Sequence, residues 1–156
     1  MSTGDRGKSA EGKVRGVLVR LSAQVGAVFY RLPDARSGSF QATLADFLAV
    51  LWGVPALIEV KEVAHAYRLS YNNFNSSQVA RQRLWKLAGA EGWVLVYHST
   101  TGLWRCLDIE VFTDRSVGGS WDLRPYPAGS LIEVMLCQLK LRFPGQVQSL
   151  ESGLSC

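Results

Sequence analysis

The chain has few of the residues that build disulfide frameworks or structural zinc sites. Its 156 residues include three cysteines, which form no C-x-x-C pair, and only two histidines, His65 and His98. An odd number of cysteines and so few histidines disfavour both a disulfide scaffold and a zinc module. We therefore expect a reducing, cytoplasmic setting.

Long apolar stretches and sequence repeats are also absent. No segment approaches the roughly 20 uninterrupted apolar residues of a membrane helix, and residues 1–6 lack the apolar region of a signal peptide. We expect no membrane partner and no secretion. With 47% hydrophobic residues, the chain can bury one sizeable core. We expect one domain over residues 9–143, between flexible segments at 1–8 and 144–156.

The charge balance is basic. Seventeen lysines and arginines oppose thirteen aspartates and glutamates, giving a net charge of +4. This excess permits binding to nucleic acid but does not demonstrate it. The acidic residues carry the sharper information.

Apolar periodicity predicts eight elements in the order αβββαββα. Val14, Leu18 and Leu21 recur at helical spacing in the first element. Two apolar runs on either side of Gly53-Val54-Pro55 predict an antiparallel hairpin. The predicted helices span 9–25, 76–89 and 129–142, and the strands span 27–32, 45–52, 56–63, 93–98 and 103–112. This order favours an α/β (α+β) domain with a central mixed β-sheet flanked by helices.

Three charged residues stand in the apolar runs of the predicted hairpin. Asp46 lies at the start of one strand, and Glu59 and Lys61 share a face of the other. A solvated ion pair is the simpler reading of Glu59 and Lys61 alone, but the hairpin can place Asp46 beside Glu59. Two converging carboxylates suit Mg²⁺ or Mn²⁺, and a neighbouring lysine suits phosphodiester hydrolysis.

Two further polar residues are ambiguous. Glu11 lies on the apolar stripe of the first helix, where it either complements the helix dipole or points to a metal site. Gln78 follows Asn75 by three positions and is either a capping-box residue or a site residue.

With Asp46, Glu59-Val60-Lys61 and Gln78 on these elements, the chain resembles the PD-(D/E)xK nuclease superfamily. Within the superfamily it resembles the archaeal Hjc-type Holliday junction resolvases, from about Arg6 to Leu141. The segment 73–78, with its phenylalanine and glutamine, also resembles the bacterial RecU-type resolvases. Ala45 replaces the proline of the superfamily name, and Gly12 stands where an arginine often follows the helix-one glutamate.

The resemblance implies a restriction-endonuclease-like fold and a set of site roles. Asp46, Glu59 and the Val60 carbonyl would bind Mg²⁺, with Mn²⁺ able to substitute, and Glu11 would complete or support the site. Lys61 would be the catalytic lysine and Gln78 an auxiliary catalytic residue.

We also expect a DNA-binding surface and a homodimer. Basic and small polar residues near the first helix, the following loop and the second helix suit phosphates; they are Arg6, Lys8, Lys13, Arg36, Ser37, Ser39, Arg81 and Arg83. Paired nicks in a four-way junction require two active sites, which a twofold homodimer provides.

Three functions remain open at this point. The first is Mg²⁺-dependent resolution of four-way DNA junctions by paired, symmetric nicks. The second is a nuclease of the same kind that acts on another DNA substrate, and the third is a catalytically silent DNA-binding domain of this fold.

Overall fold

A computed structural model of the chain describes residues 3–24, 26–33, 44–115 and 118–147. Within these ranges there are three α-helices, α1 (Thr3–Gln24), α2 (Ser76–Leu87) and α3 (Leu131–Arg142). The seven strands are β1 (Val28–Arg31), β2 (Phe47–Leu51), β3 (Val54–Val63), β4 (Arg68–Ser70), β5 (Glu91–His98), β6 (Leu103–Asp108) and β7 (Ser120–Asp122). Two 3₁₀ helices span Tyr71–Asn73 and Ile109–Phe112.

The main sheet has five strands in the order β1-β2-β3-β5-β6. Only β3 and β5 run parallel, and α2 lies in the connection between them, as a crossover between parallel strands requires. The other neighbours are antiparallel. The predicted single domain, with a mixed sheet flanked by helices and the main elements in the predicted order, is confirmed.

The predicted hairpin forms, but its turn is shorter than expected. Leu51 pairs with Val54, so Trp52 and Gly53 alone form the turn. Their φ angles are +48° and +83°, the left-handed conformation that a tight type I′ hairpin turn demands at both positions. Pro55, which was assigned to the turn, instead pairs with Val50.

Several element bounds differ from the prediction. Helix α1 begins at Thr3 rather than Ser9, so it includes most of the segment expected to be flexible. Strand β6 ends at Asp108, whose side chain accepts from the Glu110 N–H and caps a 3₁₀ helix. At the other end, Val147 is buried in the core although it was assigned to the flexible tail; residues 148–156 lie outside the described part of the chain.

A second sheet, β4 paired antiparallel with β7, was not predicted. Each strand has three residues, and one or two apolar positions are too few for a detectable alternation. The strands meet by long-range pairing of Leu69 with Trp121. Both segments lie between the helices and strands predicted from the sequence.

Two apolar clusters cover the two faces of the main sheet. The larger packs α1 and α3 against Phe47, Ile58, Val60 and neighbouring side chains. The smaller joins α2, the short sheet and the outer face of β5 and β6 through Phe74, Val94, Leu107, Phe112 and Trp121, among others. Trp93, Trp104 and Phe112 are buried in the core. Among the described residues, no helix is long and apolar enough to cross a membrane.

Candidate active site

The register of the β2–β3 hairpin brings Asp46 next to Glu59. Phe47 pairs with Ile58, and the Asp46 N–H donates to the Ile58 carbonyl at 3.1 Å. The Asp46 carboxylate is fixed as well, because its Oδ2 accepts from the Val60 N–H at 2.7 Å. The predicted convergence of these two strands at the acidic residues is therefore present.

Glu59 is a buried carboxylate with a partner on each oxygen. Its exposed fraction is 3%. Lys61 Nζ lies 2.5 Å from Oε1, and Gln78 Nε2 donates to Oε2 at 2.6 Å. A buried carboxylate is costly without such partners, so Lys61 and Gln78 together make its position tenable.

Lys61 is held on two sides. Besides its contact with Glu59, its ammonium lies 4.9 Å from the centre of the Phe74 ring, at cation–π distance. Its side chain is 18% exposed. The ammonium is therefore oriented but still reachable from solvent.

The pKa of Asp46 is raised by burial and by neighbouring negative charge. Burial raises the pKa of Asp46, and the neighbouring Glu59 charge raises it further, to about 7. The Val60 N–H and the Lys61 charge oppose this rise. A carboxyl group with a pKa near neutrality marks a place where a bound cation would relieve repulsion.

The donor set fits a hard divalent cation. Among the described residues, no group of three or more histidine, cysteine, aspartate or glutamate side chains is placed to hold a metal. The site instead offers the carboxylates of Asp46 and Glu59. Mg²⁺ is commonly held by one or two carboxylates together with waters and substrate phosphate oxygens, so two suffice.

The structure places Glu11 at the rim of the site. Its Oε2 accepts from Arg31 Nε at 3.1 Å and from Arg31 Nη2 at 2.8 Å, which links α1 to the edge strand β1. The charge of Glu11 contributes to the raised pKa of Asp46. Glu11 therefore acts on the site electrostatically while it is paired with Arg31.

The predicted DNA-contacting residues have diverse surroundings. Lys13 Nζ lies 4.3 Å from the centre of the Tyr97 ring. Arg83 is exposed and pairs with Glu110 at 3.1 Å, and Arg81 is half-buried on α2. Arg36, Ser37 and Ser39 lie outside the described residues, as do the side chains of Arg6 and Lys8, whose backbone belongs to α1.

Sequence reasoning missed Gln82. Its side chain is fully buried, and its Nε2 donates to the Leu44 carbonyl at 3.0 Å. The one available signal was its spacing of four from Gln78, which puts both on one face of a helix. Its basic neighbours, Arg81 and Arg83, favoured a solvent-exposed position for this part of the helix, so burial of Gln82 was not predicted.

No protein-family model matches the sequence, and no curated protein matches it. Among solved structures, the chain is similar to Hjc from Archaeoglobus fulgidus, a Holliday junction resolvase from an archaeal hyperthermophile. The TM-score is 0.54 at 22% sequence identity, over 78% of this chain and 95% of that one. At this identity the likeness concerns the fold. The chain therefore has the Hjc-type, restriction-endonuclease-like fold.

Proposed function

We propose that the protein is a Mg²⁺-dependent endonuclease that resolves four-way DNA junctions. The observation that carries the proposal is the partly buried group of Asp46, Glu59, Lys61 and Gln78 on an Hjc-type fold. Two carboxylates and a lysine in a partly buried position match metal-assisted phosphodiester hydrolysis.

Asp46, Glu59 and the Val60 carbonyl would hold the cation, which is Mg²⁺ with Mn²⁺ able to substitute. When bound, the cation lowers the pKa of a water molecule and neutralises charge on the phosphate. Each oxygen of Glu59 already accepts one contact, from Lys61 or from Gln78. A carboxylate oxygen has two lone pairs, so Glu59 can bind a cation without losing these partners.

Lys61 would orient the attacking water or stabilise the charge that develops on the phosphate. Its ammonium is held between Glu59 and the Phe74 ring, so little reorganisation is needed during the reaction. Gln78 keeps Glu59 oriented toward the cation. Glu11, paired with Arg31, supports the site through its charge rather than as one of a three-acid cluster.

The substrate is proposed from the fold and from charge. The similar solved structure is a Holliday junction resolvase, and the net charge of +4 favours a polyanion. We assign phosphate contacts to the residues expected from the sequence: Arg6, Lys8, Lys13, Arg36, Ser37, Ser39, Arg81 and Arg83.

We further propose a homodimer, because paired nicks in strands of like polarity need two sites related by twofold symmetry. The last turn of α2 exposes Leu84, Trp85 and Leu87, with exposed fractions of 65%, 41% and 84%. Clustered apolar groups of this kind are typical of protein interfaces.

Cys106 and Cys137 carry free thiols, in keeping with a cytoplasmic location.

The test is incubation of the purified protein with an end-labelled four-way junction and a matched linear duplex, in Mg²⁺ and in EDTA. We expect symmetric nicks confined to the junction and dependent on Mg²⁺. Cleavage of both substrates would support a nuclease with another DNA substrate. Tight junction binding without cleavage, in Mg²⁺ or Mn²⁺, would support a silent DNA-binding domain and overturn the proposal.

A further inference from the structure

Helix α2 contacts both acidic segments of the site from one face. Gln78 donates to Glu59 on β3. One turn later, Gln82 donates to the Leu44 carbonyl, two residues before Asp46. Residues four apart lie on the same side of a helix, so one helix contacts both β3, which carries Glu59, and the segment before β2, which carries Asp46.

The Gln82 contact completes the anchoring of the segment that carries Asp46. The Asp46 N–H donates to the Ile58 carbonyl at 3.1 Å, and the Asp46 carbonyl accepts from the Leu32 N–H at 2.8 Å. These two bonds fix Asp46 between its neighbours β1 and β3. Gln82 adds a third attachment, from the helix layer, at the point where the described chain enters the site.

Packing alone does not explain a glutamine at this position. Gln82 is 0% exposed, and its Oε1 is buried without a hydrogen-bond partner among the described residues. A buried acceptor without a partner destabilises a fold, whereas an apolar side chain of similar size would not. The donor contact with Leu44 is the feature that such an apolar replacement would lose.

We infer that Gln82 is a positioning residue that sets the Asp46 carboxylate against Glu59 through the backbone of residues 44–46. It contacts neither the cation nor DNA in this role. The inference rests on the proposed metal site. Outer-shell residues of this kind typically change metal affinity by about 10- to 100-fold when they are replaced.

The test compares Gln82→Met with Val79→Ala. Methionine keeps the size of the side chain and removes the donor. Val79 lies on the same helix, is buried, and belongs to the smaller apolar cluster, so its truncation perturbs the packing of α2 while the Gln82 side chain keeps its donor to Leu44. Mn²⁺ affinity is measured by electron paramagnetic resonance without DNA, junction affinity is measured in EDTA, and thermal unfolding is followed for each variant.

We expect Gln82→Met to weaken Mn²⁺ binding about tenfold and to leave junction binding in EDTA unchanged. Val79→Ala should lower the unfolding temperature and leave Mn²⁺ affinity unchanged. If Gln82→Met does not fold, Gln82→Asn is measured instead, since its amide is one methylene too short to reach Leu44. Unchanged Mn²⁺ affinity in the Gln82 variant, or equal weakening in Val79→Ala, would overturn the inference. Failure of the unaltered protein to bind Mn²⁺ would overturn the proposed metal site and the inference with it.

Discussion

Both faces of strand β3 are largely buried, but only one of them carries charged side chains. Toward α1 and α3 the strand presents Ala56, Ile58 and Val60, which pack in the larger apolar cluster. Toward α2 it presents Glu59 and Lys61, which contact Gln78 and Phe74. Glu59 is 3% exposed and Val60 is 9% exposed, so the Glu59 carboxylate is as deeply buried as its apolar neighbour on the other face.

The two faces have different roles. One stabilises the fold, and the other carries the charged groups of the candidate site. The apolar face stabilises by removing hydrocarbon from water. The polar face carries a buried carboxylate that needs two partners and a second carboxyl group whose pKa is raised to about 7. Groups that are costly to bury and that converge on one point are typical of functional sites. Variants on the two faces should therefore have separable effects.

The largest effect is expected on the polar face. Asp46→Asn and Lys61→Ala should each reduce junction cleavage by about a thousandfold or more, because one removes a cation ligand and the other removes the oriented ammonium. Junction binding in EDTA should persist in both. The matched control is Lys86→Ala, since Lys86 also pairs with a carboxylate, that of Asp108, away from the site. Single-turnover cleavage assays measure the rates, and cleavage that survives both substitutions would refute the site assignment.

On the apolar face the same strand should respond in the opposite way. Ile58→Ala removes a fully buried side chain from the larger cluster and should lower the free energy of unfolding by about 2–5 kcal/mol. Well below its unfolding temperature, the variant should still cleave within a fewfold of the unaltered rate. Denaturant titration and single-turnover assays measure the two quantities. A cleavage loss as large as that of Asp46→Asn would show that the faces are not separable.

The stability of Asp46→Asn sharpens the comparison further. The folded-state pKa of Asp46 is raised from 3.8 to about 7, chiefly by burial and by the Glu59 charge. The unfolded chain therefore ionises first, and the folded state loses stability as pH rises from about 4 to about 7. Asp46→Asn removes this loss, so the metal-free variant should be more stable than the unaltered protein at pH 8, by up to about 4 kcal/mol.

The advantage of Asp46→Asn should fade as the pH is lowered toward 4. Denaturant titrations in EDTA at pH 4, 6 and 8 measure it. A variant that is less stable than the unaltered protein at pH 8 would show that Asp46 serves packing rather than chemistry.

The smallest effects are expected on the DNA-facing surface. Lys13→Ala should weaken junction binding severalfold and reduce the slope of log affinity against log salt by about 0.9, as for the loss of one phosphate contact. Arg83→Ala should have a smaller effect, because Arg83 is engaged by Glu110. Fluorescence anisotropy over a range of salt concentrations measures both. Equal effects from the two variants would contradict this ranking.

The spacing of apolar residues predicted the parts of the fold in which many residues follow one repeating pattern of buried and exposed positions. The stripe of Val14, Leu18 and Leu21 in α1 and the apolar runs of the hairpin are examples. The short strands β4 and β7 could not be predicted because their pairing, Leu69 with Trp121, joins positions far apart in the sequence. The two-residue turn was missed because Trp52 adopts a positive φ, which is not predicted for a tryptophan.

The residues of the candidate site also differ in whether the sequence could predict them. Asp46, Glu59 and Lys61 were identifiable because a charge within an apolar run contradicts the local pattern. The pairing of Glu11 with Arg31 was not identifiable, since it depends on how α1 lies across the edge of the sheet. Gln82 was missed for two reasons. Its burial depends on which part of the structure packs against that position of α2, and its sequence neighbours, Arg81 and Arg83, are basic.

The most direct test of the central claim is a calorimetric titration of Mn²⁺ into the unaltered protein and into Asp46→Asn, at pH 8 without DNA. If the polar face of β3 is a metal site, the unaltered protein shows saturable binding and Asp46→Asn loses it. Saturable binding that is identical in the two proteins would place the metal elsewhere. No saturable binding in either would show that the buried carboxylates of Asp46 and Glu59 do not form a metal site.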